Sequence, residues 1–285
     1  MTNPSTSSSR TAPAERQPDP RDVGATRWPE RIDWEELGPE LVAAWGFPRG
    51  RFQPEHMEIL GPTRSGKTYF QAVILQMRAQ ARQSHIVVLA TKPADATIVA
   101  MGWPIVTSWP PPEGKKYRQI IYWARRPSLD DAGLAKQHTK VKELLEALFV
   151  KESNTILVWD EVAYIEHILK LSDYVTMYQR EGAGLGITNV FNTQRGARVS
   201  RYVHSESSWT VCFRPKDADD AKRIAEILGD RKHYIEVLNT LDPLKREFLI
   251  LHSLTGESYI SHIPEGTLKG IESSQETQRK GHRTV

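Results

Sequence analysis

The sequence predicts an α/β fold in which a mainly parallel sheet is covered by helices on both faces. Short apolar runs of strand length alternate along the chain with longer segments of helical periodicity. Residues 86–89 and 156–159 are apolar at every position, as expected for central parallel strands that are buried on both sides. A G-x-x-x-x-G-K-[ST] segment lies between a strand pattern and a helix pattern, which is typical of the first βα unit of such a sheet.

The chain of 285 residues is 39% hydrophobic, which is enough for one large domain. Residues 1–27 are dominated by Ser, Thr, Pro and Arg, and residues 266–285 are polar with a basic end. Such segments cannot bury enough apolar surface to offset the entropy of ordering. We therefore expect a disordered N-terminal arm, a folded domain over residues 28–265 and a disordered basic C-terminal tail.

Composition narrows the class of protein. The net charge of +3 permits a polyanionic partner but does not demand one, so any basic contact surface must be local. The mean hydropathy is −0.49 and the apolar runs are only strand-sized, which predicts no membrane-spanning helix of its own. The single cysteine, Cys212, cannot form an intramolecular disulfide or a thiolate metal site. This usage fits a reducing, cytoplasmic compartment.

The predicted elements follow the chain in a regular order. The expected strands of the sheet are residues 57–60, 86–90, 119–123, 155–159, 186–192 and 208–214. The expected helices are residues 67–81, 134–149 and 217–228. Two final runs, 247–251 and 259–263, are separated by a turn containing Gly256 and predict a C-terminal β-hairpin.

Residues 61–68 read G-P-T-R-S-G-K-T and match a phosphate-binding loop at each required position. The glycines allow successive backbone N–H groups to face phosphates, and the following helix adds its positive N-terminal end. Lys67 is expected to reach the β- and γ-phosphates of ATP, and Thr68 to present its hydroxyl to Mg²⁺. The predicted ATP contacts are Gly61, Pro62, Thr63, Arg64, Ser65, Gly66, Lys67, Thr68 and Tyr69.

The second motif is acidic: Asp160 and Glu161 directly follow the apolar run 155–159. We expect Asp160 to hold Mg²⁺ near Thr68, and Glu161, which points away from the metal, to polarise the attacking water. The alternative is that both acids cap the next helix. The doublet beside a phosphate-binding loop predicts ATP hydrolysis.

Gln194 ends the next predicted strand, in the segment Thr193-Gln194-Arg195. A glutamine there can hydrogen-bond the γ-phosphate or the attacking water, although it could also be a polar turn residue. Further strands lie between the phosphate-binding loop and Asp160. They favour the additional-strand, catalytic-glutamate type of P-loop NTPase over the kinase and GTPase type.

The order of these motifs resembles the FtsK–HerA superfamily of DNA-pumping ATPases. After the phosphate-binding loop come W-D-E at 159–161, R-E-G-A-G-L-G at 180–186 and N-T-Q-R at 192–195, and the resemblance spans residues 57–263. Gly196 replaces the proline that often follows T-Q-R in that superfamily. The resemblance implies a homo-oligomeric ring, commonly a hexamer, in which a neighbouring subunit donates an arginine. Arg180 is the candidate for this arginine finger and Arg195 the second candidate; for Arg180 a salt bridge to Glu181 or nearby acids is the alternative.

The resemblance implies a motor that couples Mg-ATP hydrolysis to movement of DNA, with double-stranded DNA as the expected form, in genome packaging or transfer. It also implies a bacterial or phage-infected host cytoplasm and a portal, capsid or transfer-channel partner. Two other functions stay open: an ATPase that acts on protein in virion assembly or secretion, and a poorly hydrolysing nucleotide switch. Basic residues in predicted loops are candidate DNA contacts or solvated surface charges, namely Lys115, Lys116, Arg195, Arg198 and Arg201.

Overall fold

The structure, a computed structural model, describes residues 27–45, 54–81, 85–111, 117–195 and 199–271. The predicted N-terminal arm, apart from residue 27, lies outside these ranges. So do residues 272–285 of the predicted tail and three of the candidate DNA contacts, Lys115, Lys116 and Arg198.

One sheet of ten strands organises the described part of the chain. The strands are β1 (Glu30–Arg31), β2 (His56–Leu60), β3 (His85–Ala90), β4 (Ile105–Val106), β5 (Gln119–Trp123), β6 (Thr155–Trp159), β7 (Thr188–Thr193), β8 (Ser207–Phe213), β9 (Phe248–His252) and β10 (Ser258–Ser261). Their order across the sheet is β1-β10-β9-β8-β2-β7-β6-β3-β5-β4. Only the pairings of β9 with β8 and β10 are antiparallel. The prediction of a mainly parallel sheet with a late hairpin is confirmed.

Eight α-helices lie within the described residues, besides a helical segment at residues 267–271. They are α1 (Trp34–Ala44), α2 (Lys67–Ala81), α3 (Ala96–Val99), α4 (Asp131–Leu148), α5 (Ser172–Glu181), α6 (Arg201–Ser205), α7 (Ala218–Ile227) and α8 (Arg231–Thr240). A π-helical turn at Tyr164–Ile168 and a 3₁₀ turn at Gly182–Leu185 flank α5. The sequence predicts α2, α4 and α7 but not α1, α5 or α8. Helix α5 has ten residues and buries only Val175, Tyr178 and Gln179, so few of its positions are fully apolar and buried.

The helices cover both faces of the sheet, as predicted. Alternate side chains of each strand point to opposite faces, so Met57 and Ile59 of β2 pack with α1, α2 and α3 in one cluster. On the other face the core is divided. One cluster contains α4 and α5, and a second joins α7 and α8 to Leu60 and Cys212.

Strand β7 lies between β2, which leads into the phosphate-binding loop, and β6, which leads into Asp160. It corresponds to the strand predicted at residues 186–192, and it places the segment after β7 between the two motifs; the further strands predicted between the phosphate-binding loop and Asp160 are β3 and β5. The strand begins at Thr188 rather than at Gly186. Gly186 instead ends the preceding 3₁₀ turn with φ = 79°, a left-handed conformation that favours glycine.

The folded part of the chain extends past residue 265, where the sequence places the domain boundary. Residues 267–271 are helical, and Leu268 is buried. The Tyr69 hydroxyl donates to the Pro264 carbonyl at 3.2 Å and accepts from the Leu268 N–H at 3.3 Å. These contacts tie the segment to the first turn of α2. Within the described residues, no helix is both long and apolar enough to cross a membrane.

A layer of buried polar side chains crosses the sheet beneath α5 and α6. His56 Nδ1 accepts from the Asn189 N–H at 3.1 Å, and its Nε2 donates to the Gln179 carbonyl at 3.3 Å. Asn189 also accepts from the indole N–H of Trp159 at 3.1 Å. Burial lowers the pKa of His56 to about 4, so its imidazole is neutral in the folded protein.

The buried His56 predicts a loss of stability in mild acid. Its folded-state pKa is about 4 and its ordinary value is 6.5, so the unfolded chain binds more protons between these values. The free energy of unfolding should fall as the pH decreases from 6.5 towards 4, with about 2 kcal/mol lost by pH 5 from this group alone. Urea unfolding at pH 7.5, 6 and 5 measures the decline. It should be shallower in His56→Gln and unchanged in His85→Gln, a control at an exposed histidine; equal slopes in all three proteins would contradict the assignment.

Candidate nucleotide-binding site

The carboxyl ends of β2, β3, β6 and β7 meet at one edge of the sheet and line a cavity of about 480 Å³. Parallel strands bring the residues that follow them to a common edge, where α/β folds bind ligands. The cavity contains predicted ATP-site residues from three separate segments. They are residues 63–69 of the phosphate-binding loop, Asp160 with Glu161, and Gln194.

Two glycines give the phosphate-binding loop its shape. Gly61 has φ = 153° and Gly66 has φ = 112°, conformations that disfavour residues with a side chain. A Cβ at Gly61 would also lie 2.7 Å from the Cβ of Phe213 on β8, so this position has no room for one. After Gly66 the chain enters α2 at Lys67. The N–H groups of the first helical turn lack helix partners and suit a phosphate ligand.

Lys67 is buried at the base of the cavity. Its ammonium donates to the carbonyl of Gly61 at 2.5 Å and to that of Pro62 at 3.0 Å. Burial lowers the pKa of Lys67 to about 8, against the opposing attraction of Glu161 and Asp160. A triphosphate would offer this buried cation a stronger partner than the two carbonyls do.

Asp160 is buried, and its carboxylate has an incomplete set of partners. Oδ1 accepts from the Lys92 ammonium at 3.0 Å, while Oδ2 is buried without a hydrogen-bond partner among the described residues. Burial raises the pKa of Asp160, and the charge of Lys92 opposes this. An unpartnered carboxylate oxygen in the same cavity as the Thr68 hydroxyl fits Mg²⁺, which prefers oxygen ligands and usually keeps phosphates and waters as well.

Glu161 and Gln194 meet across the cavity. The Thr63 hydroxyl donates to Oε1 of Gln194 at 2.8 Å, and Gln194 lines the same cavity as Glu161 and lies near enough to favour its ionised carboxylate. Burial raises the pKa of Glu161, while the cations Lys67 and Lys92 lower it. The next helical turn begins at Val162, directly after the two acids, but within the described residues no hydrogen bond joins either carboxylate to a backbone N–H of that turn. Gln194 therefore links the phosphate-binding loop to the predicted general base.

Arg180 lies at the opposite edge of the sheet. The carbonyl of the preceding residue, Gln179, contacts His56, which begins β2, whereas the phosphate-binding loop follows the end of β2. The length of β2 separates them by about 13 Å. Arg180 is exposed, has no ion pair with a described acid, and its guanidinium lies 5.9 Å from the centroid of the Tyr202 ring. The salt bridge considered for Arg180 is therefore not found among the described residues.

The two described DNA-contact candidates lie in different elements. Arg195 is exposed one residue after Gln194, at the edge that carries the cavity. Arg201 is exposed at the start of α6.

The structure also brings residues into the cavity that the motifs do not identify. Lys92 and Asp95 follow β3 and line its wall opposite the phosphate-binding loop. The sequence signal for Lys92 and Asp95 is that they follow a predicted strand, which places them at the same edge of the sheet as the other site residues. Arg246 precedes β9 and packs against Gly66, where a Cβ added to the glycine would lie 3.4 Å from the Arg246 Cδ. Arg246 adopts φ = 55°, and no sequence pattern indicates its place at the site.

Comparison with known proteins adds support for the fold. The sequence matches no protein-family profile and no curated protein. Among solved structures, it is similar to the genome-packaging NTPase of Sulfolobus turreted icosahedral virus 2 in complex with ATP-gammaS. The TM-score is 0.55 at 17% identity, over 74% of this chain and 97% of that chain.

Two further similar structures each contain more than one ATPase domain. EssC (ATPases 2 and 3) from Geobacillus thermodenitrificans has a TM-score of 0.54 at 13% identity, over 81% of this chain and 45% of that chain. Thermomonospora curvata EccC (ATPases 2 and 3), in complex with a signal sequence peptide, has a TM-score of 0.53 at 13% identity, over 79% and 42% respectively. These similarities confirm the predicted α/β fold, with its mainly parallel sheet and helices on both faces.

Proposed function

We propose that this protein is an ATPase motor that couples hydrolysis of Mg-ATP to movement of double-stranded DNA, in genome packaging or transfer. The observation that carries the proposal is the convergence of Lys67, Asp160, Glu161 and Gln194 on one cavity. Lys67 would bind phosphates, Asp160 would bind the metal ion and Glu161 would accept a proton. Gln194 would link the phosphate-binding loop to Glu161. The genome-packaging NTPase, similar over 97% of its own length, supports the choice of DNA as the substrate.

The residues divide the work of hydrolysis among them. Lys67 and the N–H groups at the start of α2 would hold the phosphates, and Asp160 with Thr68 would hold Mg²⁺. When bound, the ion supplies positive charge that offsets the charge of the phosphates. Glu161 would accept a proton from the attacking water, and Gln194 would orient that water or the terminal phosphate.

The proposed working form is a homo-oligomeric ring, with a hexamer as the expected number. Arg180 cannot reach the cavity of its own subunit, because it lies at the opposite edge of the sheet. A ring in which one subunit's amino edge faces the next subunit's carboxyl edge would bring Arg180 to a neighbouring ATP. The docking partner would be a portal, capsid or transfer-channel protein.

A protein substrate is the second candidate. EssC and EccC have the same fold, and the EccC structure holds a signal sequence peptide. The cavity residues would hydrolyse ATP equally well in either case, since the fold and the ATP site do not determine what the motor moves.

The test is steady-state ATP hydrolysis with and without double-stranded DNA, at about 50 mM and about 200 mM salt. A motor that contacts the phosphate backbone should show stimulation that weakens steeply between these concentrations. The variant Glu161→Gln, purified in parallel, controls for a contaminating ATPase. Intact basal turnover of an oligomeric sample without any stimulation would reject DNA as the substrate and favour a protein one.

A further inference from the structure

Lys92 is a cation of the ATP cavity that the phosphate-binding loop does not supply. Its ammonium lies 3.0 Å from Oδ1 of Asp160 and 3.7 Å from Oδ2 of Asp95. Its backbone carbonyl accepts from the indole N–H of Trp123 at 2.7 Å. The main chain of Lys92 is therefore fixed to β5, while its side chain is held by charged partners.

The members of this ion-pair cluster differ in their freedom to move. The Asp160 side chain is completely buried, whereas 34% of the Lys92 side chain is exposed. Asp95 is fixed as well, because its Oδ1 accepts from the N–H groups of Thr97 at 3.0 Å and Ile98 at 3.1 Å. Lys92, on a flexible four-carbon stem, is the member that can change position without disturbing the core.

Occupation of the cavity would change the balance of charge around Lys92. An ammonium group has no lone pair and cannot coordinate a metal ion. Its positive charge also repels any divalent cation that approaches Asp160. A triphosphate attracts it. In the proposed mechanism Glu161 lies close to the water that attacks the terminal phosphate, so a cation that reaches the adjacent Asp160 can also reach that phosphate.

We propose that Lys92 is a second phosphate-binding residue of this site, which pairs with Asp160 when the site is empty and contacts the terminal phosphate of bound ATP. Asp95 is its positioning residue. This inference rests on the proposed ATPase function and adds a determinant of the preference for ATP over ADP.

Equilibrium binding of ATP and ADP, each with Mg²⁺, tests the proposal without relying on turnover. In Lys92→Met, which nearly keeps the length of the side chain and removes the charge, affinity for ATP should fall roughly tenfold or more, and affinity for ADP much less. Lys92→Arg should retain most of the preference for ATP. Lys142→Met is the matched control, because Lys142 also pairs with a carboxylate, that of Glu146 at 3.7 Å, but lies on α4 and does not line the ATP cavity.

Asp95→Asn provides an independent variant, should loss of the charge of Lys92 prevent folding. Asparagine also caps helices, so α3 should persist while the attraction on Lys92 weakens, and the ATP preference should fall several-fold. If Lys92→Met lost equal affinity for ATP and ADP, or lost affinity for neither, the role proposed for Lys92 would be overturned while the proposed function would stand. A wild-type protein that binds neither nucleotide, as expected for Lys67→Ala, would overturn the proposed function with it.

Discussion

The substitution Glu161→Gln is expected to lower the rate of ATP hydrolysis by about 10² to 10⁴-fold and to leave ATP binding intact. Glutamine keeps the size of the side chain, but its neutral amide cannot accept a proton from water. The Glu161 carboxylate lies in the same cavity as Lys67 and Asp160. Loss of this proton acceptor is therefore sufficient to explain the expected fall in rate. Steady-state kcat and equilibrium ATP affinity, measured on the same sample, separate the two effects.

Glu166→Gln is the matched control for this substitution. Glu166 follows the same strand and, like Glu161, has a pKa raised by burial, but it accepts from the Ser200 N–H and does not line the cavity. Its replacement should change kcat only a few-fold. A Glu161→Gln protein with near wild-type turnover would remove Glu161 from the role of general base.

The substitution Arg180→Ala is expected to lower hydrolysis by the assembled protein by about 10³ to 10⁵-fold, the loss typical of a missing arginine finger. Binding of ATP by a single subunit should not change, because Arg180 lies at the edge of the sheet away from the cavity. The thermal midpoint should change little, because the side chain is exposed and lies over the Tyr202 ring without an ion pair to a described acid. Turnover, ATP affinity and thermal unfolding of the variant check the three expectations.

Mixing two inactive variants shows whether Arg180 acts across a subunit interface. Lys67→Ala subunits lack a functional site but retain Arg180, and Arg180→Ala subunits retain the site. Mixed oligomers should regain part of the activity, because some interfaces pair an intact site with an intact arginine. No recovery in oligomers shown to contain both subunits would argue against action from a neighbour. Full activity of Arg180→Ala together with an inactive Arg195→Ala would transfer the role to Arg195.

Much of the candidate nucleotide-binding site could be predicted from the sequence because the residue pattern that indicates it is local. The bounds of α2 follow the prediction, and the phosphate-binding loop needs specific residues at fixed spacing within eight positions. Asp160, Glu161 and Gln194 each lie within two residues of the end of a buried strand. The parallel arrangement of those strands then requires them to meet at one edge.

Other features depend on contacts between distant segments and carry little sequence signal. Helix α5 is short, and only two apolar side chains and one glutamine of it are buried; the sequence analysis does not predict it, although it decides where Arg180 lies. Residues 267–271 have the composition of a polar tail, but Leu268 belongs to the core and Tyr69 binds the backbone around it. Two apolar residues, Leu268 and Ile271, in an otherwise polar segment do not reveal that they pack against the core.

The sequence by itself determined the α/β class, the phosphate-binding loop and the order along the chain of the strands that carry the acids and Gln194. The alternation of strand and helix patterns and the residue spacing within the loop are properties of neighbouring residues. Only the tertiary structure decided that Lys92 pairs with Asp160, that Arg246 reaches Gly66 and that Arg180 faces away from its own cavity. These relations join residues far apart in the chain. They are set by which strands are adjacent in the sheet and by which edge each loop reaches, and neither is encoded in local periodicity.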